Sequence, residues 1–357
     1  MKAVFHWLIA YFARWLPAAT SPGLFPIGTP NPDSPVLVTA NFRLTVRRVK
    51  RALRDMNLWL LVVNTNGINV WCAAAGGLFT HNRIIDAVKI SGLALRVHHR
   101  QLILPALSAP GVETDAIHTA TGFTVHFGPV YATDIPEYLN TGKKTEAMQR
   151  FRFGIRHRLD MYLSMNFPVY LPIAAVLAVF WPRFLPGFTI LFWSAVAFLY
   201  LFLNVIPGRT GWAQALVSSA VWSIAWAGKD WIVRGNPLAH WGWLVALVGI
   251  FLLAGIDLAG TASPRKSDFE VLLRRLGTHN LGSFLGPWDL EAVALDRSAC
   301  TGCGRCREIC PIGVFGEPDG ENRTTLRHRD ACFACGACVR QCRENALSLA
   351  ERTIWSS

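Results

Sequence analysis

The sequence predicts a chain in three parts: an α/β domain, an α-helical bundle of about four membrane spans, and a small α+β domain knit together by cysteines. Three observations carry this. Over residues 29–150, short apolar runs suited to buried strands alternate with helix-period segments. Long uncharged apolar segments follow over 151–264, and eight of the nine cysteines crowd into 293–357. Residues 1–28 precede the first domain as an amphipathic segment. Residues 265–292, with Gly277, Gly282, Gly286 and Pro287, form a linker between the last span and the cysteine domain.

Val36–Ala40 is an apolar run fit for a buried strand. Leu44 to Met56 has helical spacing with a basic face, and Trp59 to Val63 is a second buried strand. Asn64 to Asn69, with Gly67, makes a turn at that strand's carboxyl end, where open α/β sheets place ligands. Asn82 to Ile90 reads as a helix, Gln101 to Leu107 and Phe123 to Phe127 as strands, and Ile135 to Leu139 as a last short helix. The alternation calls for a parallel or mixed sheet. His98 and His99 flank a strand and are expected to be solvated at its entrance.

The composition is 52% hydrophobic and only 16% charged, with 14 Trp and 21 Phe, which demands a lipid-facing part. The expected spans are Phe167 to Trp181, beginning near Leu159; Gly187 to Ile206, about long enough for ~30 Å of hydrocarbon; Thr210 to Ala227; and Leu238 to Leu258. Gln214, Ser218, Ser219 and Ser223 give the third a polar stripe for packing against its neighbours. Asp257 is expected at the interface. An even number of spans puts both ends on one side, and Arg150, Arg152, Arg156, Arg158, Arg265, Lys266, Arg274 and Arg275 mark that side as cytoplasmic. The formal net charge of +12 is thereby explained by membrane orientation. The basic residues form no single stripe interleaved with aromatics, so nucleic acid is not expected. At the N-terminus, Val4 to Trp15 resembles a signal peptide, but Arg14 interrupts it; a helix lying on the bilayer surface is expected instead.

Cys300, Cys303, Cys306 and Cys310, then Cys332, Cys335, Cys338 and Cys342, repeat the C-x2-C-x2-C-x3-C spacing of a dicluster ferredoxin. Three closely spaced thiolates wrap one face of a [4Fe–4S] cubane and the fourth reaches across to the other. Cys300, Cys303, Cys306 and Cys342 are therefore assigned to the first cluster, and Cys310, Cys332, Cys335 and Cys338 to the second. A zinc site needs four ligands, not two interlocked quartets. Gly302, Gly304 and Gly336 fit tight turns that aim amides at sulfur. Arg343 stands where a proline usually follows the fourth cysteine, either as a cation beside the first cluster or solvated.

The ninth cysteine, Cys72, lies in Asn69-Val-Trp-Cys-Ala-Ala-Ala-Gly-Gly77, and a lone cysteine among apolar residues is usually inert core. This segment resembles the cap helix of the corrinoid-binding domain in the membrane protein of the bacterial mercury-methylation system, a family related to the corrinoid iron–sulfur protein of the acetyl-CoA pathway. Asp33 to Asn41, His99 to Leu107, Ala109 to Val112, Phe127 to Val130, Pro207 to Arg209 and Asp257 to Gly260 are similar to further segments of it. The C-terminal part is similar to its dicluster ferredoxin partner, so the chain reads as a fusion.

The resemblance implies a Rossmann or flavodoxin-like corrinoid-binding fold. In it Cys72 would be the cobalt ligand and catalytic residue, with Asn69 and Trp71 shaping the cap over a cobalamin-type corrinoid. It implies a corrinoid-dependent methyl carrier at the cytoplasmic membrane, its two [4Fe–4S] clusters re-reducing cobalt. The partners implied are the lipid bilayer, an upstream corrinoid methyltransferase and a low-potential electron donor. Three departures stand against the family pattern. Ala75, Gly76 and Gly77 replace a Gly-Lys-Gly, no thiol is left over for Hg(II), and four spans are found where the family has five. A non-mercury methyl acceptor, a membrane-anchored electron-transfer ferredoxin with no corrinoid, and an inactive fusion are the rival readings.

Overall fold

The structure is a computed structural model that describes residues 18–151, 154–203, 205–206, 211–238, 240–258, 291–329, 332 and 334–351. The N-terminal amphipathic segment, the linker and the Pro207–Arg209 motif lie largely or wholly outside these residues, as do Asp257's side chain and Gly260. The chain divides into two compact units. One contains the long helices after residue 153; the other joins the α/β domain to the cysteine domain.

The α/β domain is a five-stranded sheet of β1 (Gly23–Ile27), β2 (Val36–Ala40), β3 (Leu58–Val63), β4 (Gln101–Leu104) and β5 (Thr124–Phe127), in the order β1-β3-β2-β4-β5. β2, β3, β4 and β5 run parallel and β1 antiparallel against β3. The four parallel strands follow the flavodoxin-like order, which reverses between β2 and β4.

β1 was not anticipated: its five residues include Gly23 and Pro26, and it lies before the expected boundary at 29. A proline is tolerated there because an edge strand leaves one row of N–H groups unpaired. β2 and β3 are buried throughout, as parallel strands with both faces covered must be.

Leu37, Leu58, Leu60 and Val62 face one core, where α1 (Arg43–Ala52) packs through Val46 and Val49 and turns its basic residues outward. Val36, Val38, Leu61 and Val63 face the other. That core takes in α2 (Val70–Ala75), α3 (His81–Ile90) and, through Ile117, α4 (Thr114–Thr121). Two short helices, α5 (Ile135–Thr141) and α6 (Glu146–Gln149), close the domain.

The four segments read as spans are helical but differently bounded. α7 (Ile155–Phe180) starts earlier than expected and runs through Pro168 and Pro172. α8 (Leu185–Leu201) stops short of Ile206; α9 (Gly211–Arg234) extends past Ala227; α10 (Trp241–Leu258) begins three residues late.

By length and composition, two helical stretches among the described residues are apolar enough to cross a membrane, His157–Phe180 and Pro182–Leu201; Trp241–Gly255 is apolar but shorter. The count of four spans therefore drops to two on this measure, because α9 carries a polar stripe and Lys229, Asp230 and Arg234 near its end. Gln214 bonds the Leu203 carbonyl, and Ser218 and Ser219 are buried, so the stripe turns inward. Large apolar side chains such as Val179, Ile190, Ile224 and Ile232 stand exposed.

The cysteine domain pairs β6 (Glu291–Leu295) antiparallel with β7 (Leu347–Glu351), bringing its ends together. Two five-residue helices, α11 (Arg305–Ile309) and α12 (Ala337–Gln341), lie between.

Candidate functional site

Where the strand order reverses, the chain leaving β3 crosses the carboxyl end of β2 before reaching β4. Asn41, just past β2 and 2% exposed, organises this crossing. Its Oδ1 accepts from the Thr65 and Gly67 amides, both at 2.9 Å, and its Nδ2 donates to Thr20 O at 3.1 Å. The single Thr65 hydroxyl proton goes to Ile68 O at 2.7 Å. Gly67 has φ +73°, and a Cβ there would lie 2.6 Å from the Ala19 nitrogen. Only glycine fits.

The loop delivers Asn69 to the N-cap of α2, where its side chain accepts from the Cys72 amide at 3.0 Å. Val70, Ala73 and Ala74 are buried, Trp71 is half-buried, and Cys72 is exposed. The expectation for an ordinary core cysteine is thus reversed: helical phase points the apolar neighbours down and the sulfur out. Gly111 closes the arrangement from β4's side. A Cβ there would meet Phe79 O at 2.4 Å and Ala74 O at 2.9 Å. His98 and His99 bond Asp33 and the Ser34 carbonyl at the opposite end of the strands.

In the cysteine domain, one cavity is lined by Cys300, Cys303, Cys306 and Cys342, and a second by Cys310, Cys332, Cys335 and Cys338. The fourth cysteine of each run thus lines the cavity of the other run. Val314 N–H lies 3.4 Å from the Cys310 sulfur, Ala334 N–H 3.4 Å from that of Cys332, and the Thr324 hydroxyl 3.5 Å from that of Cys306. Gly304 and Gly336, in the left-handed region, open α11 and α12 in the same way. A side chain at Gly302 would come within 1.7 Å of Asn322 O. Burial pushes the Cys335 thiol up to about 11 and raises Cys338 further; Cys306 rises too, although the Thr324 hydroxyl opposes it. Arg343, expected either beside the first cluster or solvated, instead pairs with Asp115 at 2.6 Å.

Residues 9–139 match the family model of the CO dehydrogenase/acetyl-CoA synthase delta subunit, and residues 299–347 match that of the 4Fe-4S dicluster domain. The sheet domain is therefore homologous to acetyl-CoA decarbonylase/synthase subunits, and the cysteine domain is of the 4Fe–4S dicluster type. Among its relatives, the gamma subunit of the acetyl-CoA decarbonylase/synthase complex of Methanopyrus kandleri is 38% identical over 125 residues, 34% of this chain and 27% of that protein. The Archaeoglobus fulgidus gamma subunit is 37% identical over 125 residues, 34% and 26% respectively. A Methanosarcina mazei gamma subunit is 42% identical over 97 residues, 26% and 21%. The chain spans about a quarter of the length of these relatives.

Replacing Asn41 with Ala strips the Thr65 and Gly67 amides of their acceptor. The expected cost is about 3 kcal/mol, read as faster amide exchange over 65–72. Thiols held protonated must lose their protons to ligate iron. Iron uptake by the cluster-free chain is therefore expected to increase as pH is raised from 7 to 9, measured by iron bound per chain.

Proposed function

We propose that the chain is a membrane-bound corrinoid protein with a fused 2[4Fe–4S] ferredoxin domain, acting in corrinoid-dependent methyl transfer of the mercury-methylation type. The observation that carries this is Cys72: an exposed soft donor on a capped helix, at the strand-order reversal of a sheet domain homologous to acetyl-CoA decarbonylase/synthase subunits. Open α/β sheets bind their ligands at this place.

The donor set fits the group. A thiolate would be a strong donor to a macrocyclic metal; Asn69, the cap residue, and Trp71, in the first turn of α2, stand just before Cys72 in the chain. When bound, the corrinoid supplies a cobalt centre that carries a methyl group, and the clusters supply electrons at low potential. The chain's own part is to hold the sulfur outward by burying Val70, Ala73 and Ala74 and to keep α2 registered through the Asn69 cap. The two cysteine quartets hold the clusters, with backbone amides toward sulfur.

A membrane-embedded helical part, with both soluble domains on the cytoplasmic side, fits the exposed apolar side chains on α7, α8 and α9 and the arginines before α7. The upstream partner is a corrinoid methyltransferase, and a low-potential protein donor feeds the clusters. A second reading, transfer to an acceptor other than mercury, is favoured by the cysteine inventory. Of nine cysteines, eight line the two cavities and the ninth is Cys72, so no thiol is left to hold Hg(II).

The test is anaerobic purification after expression with cobalamin, comparing the wild type with Cys72→Ala. About one cobalt to eight irons is expected, with cobalt lost or its visible spectrum altered in the variant. Iron without cobalt in both proteins would sink the corrinoid reading. Hg(II) assays on the cobalt-loaded chain then separate the two acceptors.

A further inference from the structure

The cysteine domain and the sheet domain share a buried boundary. Gln341 is 3% exposed, and its polar atoms are used by the other domain. Its Nε2 donates to Ala109 O at 3.1 Å and Val112 O at 2.6 Å, while its Oε1 accepts from the Thr114 hydroxyl at 3.2 Å. A buried amide is costly unless its partners are in place, so this face is shaped for one particular neighbour. Ile309 and Ala337 are buried in the same core as Ala73, with Cys335 and Cys338 packed against it.

Charges ring this contact. Arg340 pairs with Glu113 at 2.8 Å, Arg343 with Asp115 at 2.6 Å, and Lys144, almost fully buried, with Glu308 at 3.3 Å. Phe151 N–H donates to Pro311 O at 2.7 Å.

The docking groups alternate with the cysteines of the two quartets. Glu308 and Ile309 precede Cys310; Arg340 and Gln341 lie between Cys338 and Cys342; Arg343 follows. Backbone held by the clusters is the backbone that presents the docking face. We propose that this face is a permanent intramolecular docking surface for Ala109–Asp115, and that docking and cluster retention stabilise one another.

Coupling of this kind is reciprocal by thermodynamic necessity. Arg343 is then a positioning residue: a proline there would offer Asp115 no donor. The second quartet is the one seated on the core that also carries the Cys72 helix. The proposal rests on the reading of the eight cysteines as cluster ligands. Iron content of the untreated chain, about eight per chain, tests that reading separately, and neither readout below involves cobalt.

The experiment uses the full, cluster-loaded chain and reads amide exchange over 106–115 together with the rate of iron loss to a ferrous chelator. Gln341→Leu strands two buried carbonyls and is expected to speed both by roughly tenfold or more. Asp115→Arg, at a largely exposed pair, should speed both by about fivefold. Combining it with Arg343→Asp should return both to within about twofold of the wild type. Stripping iron from the wild type should deprotect 106–115. Protection that survives stripping, Gln341→Leu without effect, or a reversed charge pair that fails to restore would each overturn the proposal.

Discussion

The crossing at the carboxyl end of β2 is the constraint on which the site depends. β3 lies on one side of β2 and β4 on the other, so the chain between them must pass over β2's end. Backbone in such a passage has no ladder to satisfy it, and buried amides need partners. Asn41 supplies them, standing at the end of β2 and accepting from both Thr65 and Gly67. With the loop so held, Asn69 falls at the helix start and the three-residue offset sets Cys72 outward. Gly67 and Gly111 let the backbone approach closely on either side.

The cysteine domain has a small apolar core, centred on Val293, Val314, Phe315 and Leu347. A domain of this size is short of burial and needs cross-links. The clusters supply them within the domain, and the sheet domain contributes Ala109, Val112 and the core around Ala73 from outside. The exposed arginine pairs add little energy each.

Among the long helices, burial and polarity divide the work. Phe188, Phe192, Tyr200 and Phe251 form the shared interior, and Gln214 satisfies carbonyls freed where α8 ends. Asp230, buried, is met by His240 at 2.9 Å and by Lys229 at 3.7 Å, so its charge is paired within the bundle.

The grouping of the eight cysteines was legible in the sequence. Ligand spacing is a property of a few consecutive residues, and each cavity is lined by the quartet that the spacing paired. Uniform apolar runs marked β2 and β3, and the turn residues marked the loop bearing Cys72. β1 was hidden because an edge strand containing glycine and proline has no periodic signal, and α7 was shortened because two prolines look like breaks although a helix packed on its neighbours absorbs them. Asn41's role and the use of Gln341 and Arg343 were decided by tertiary structure alone. Each depends on a partner brought close from as far as 232 positions away in the chain, and no local pattern of residues encodes a contact at that range.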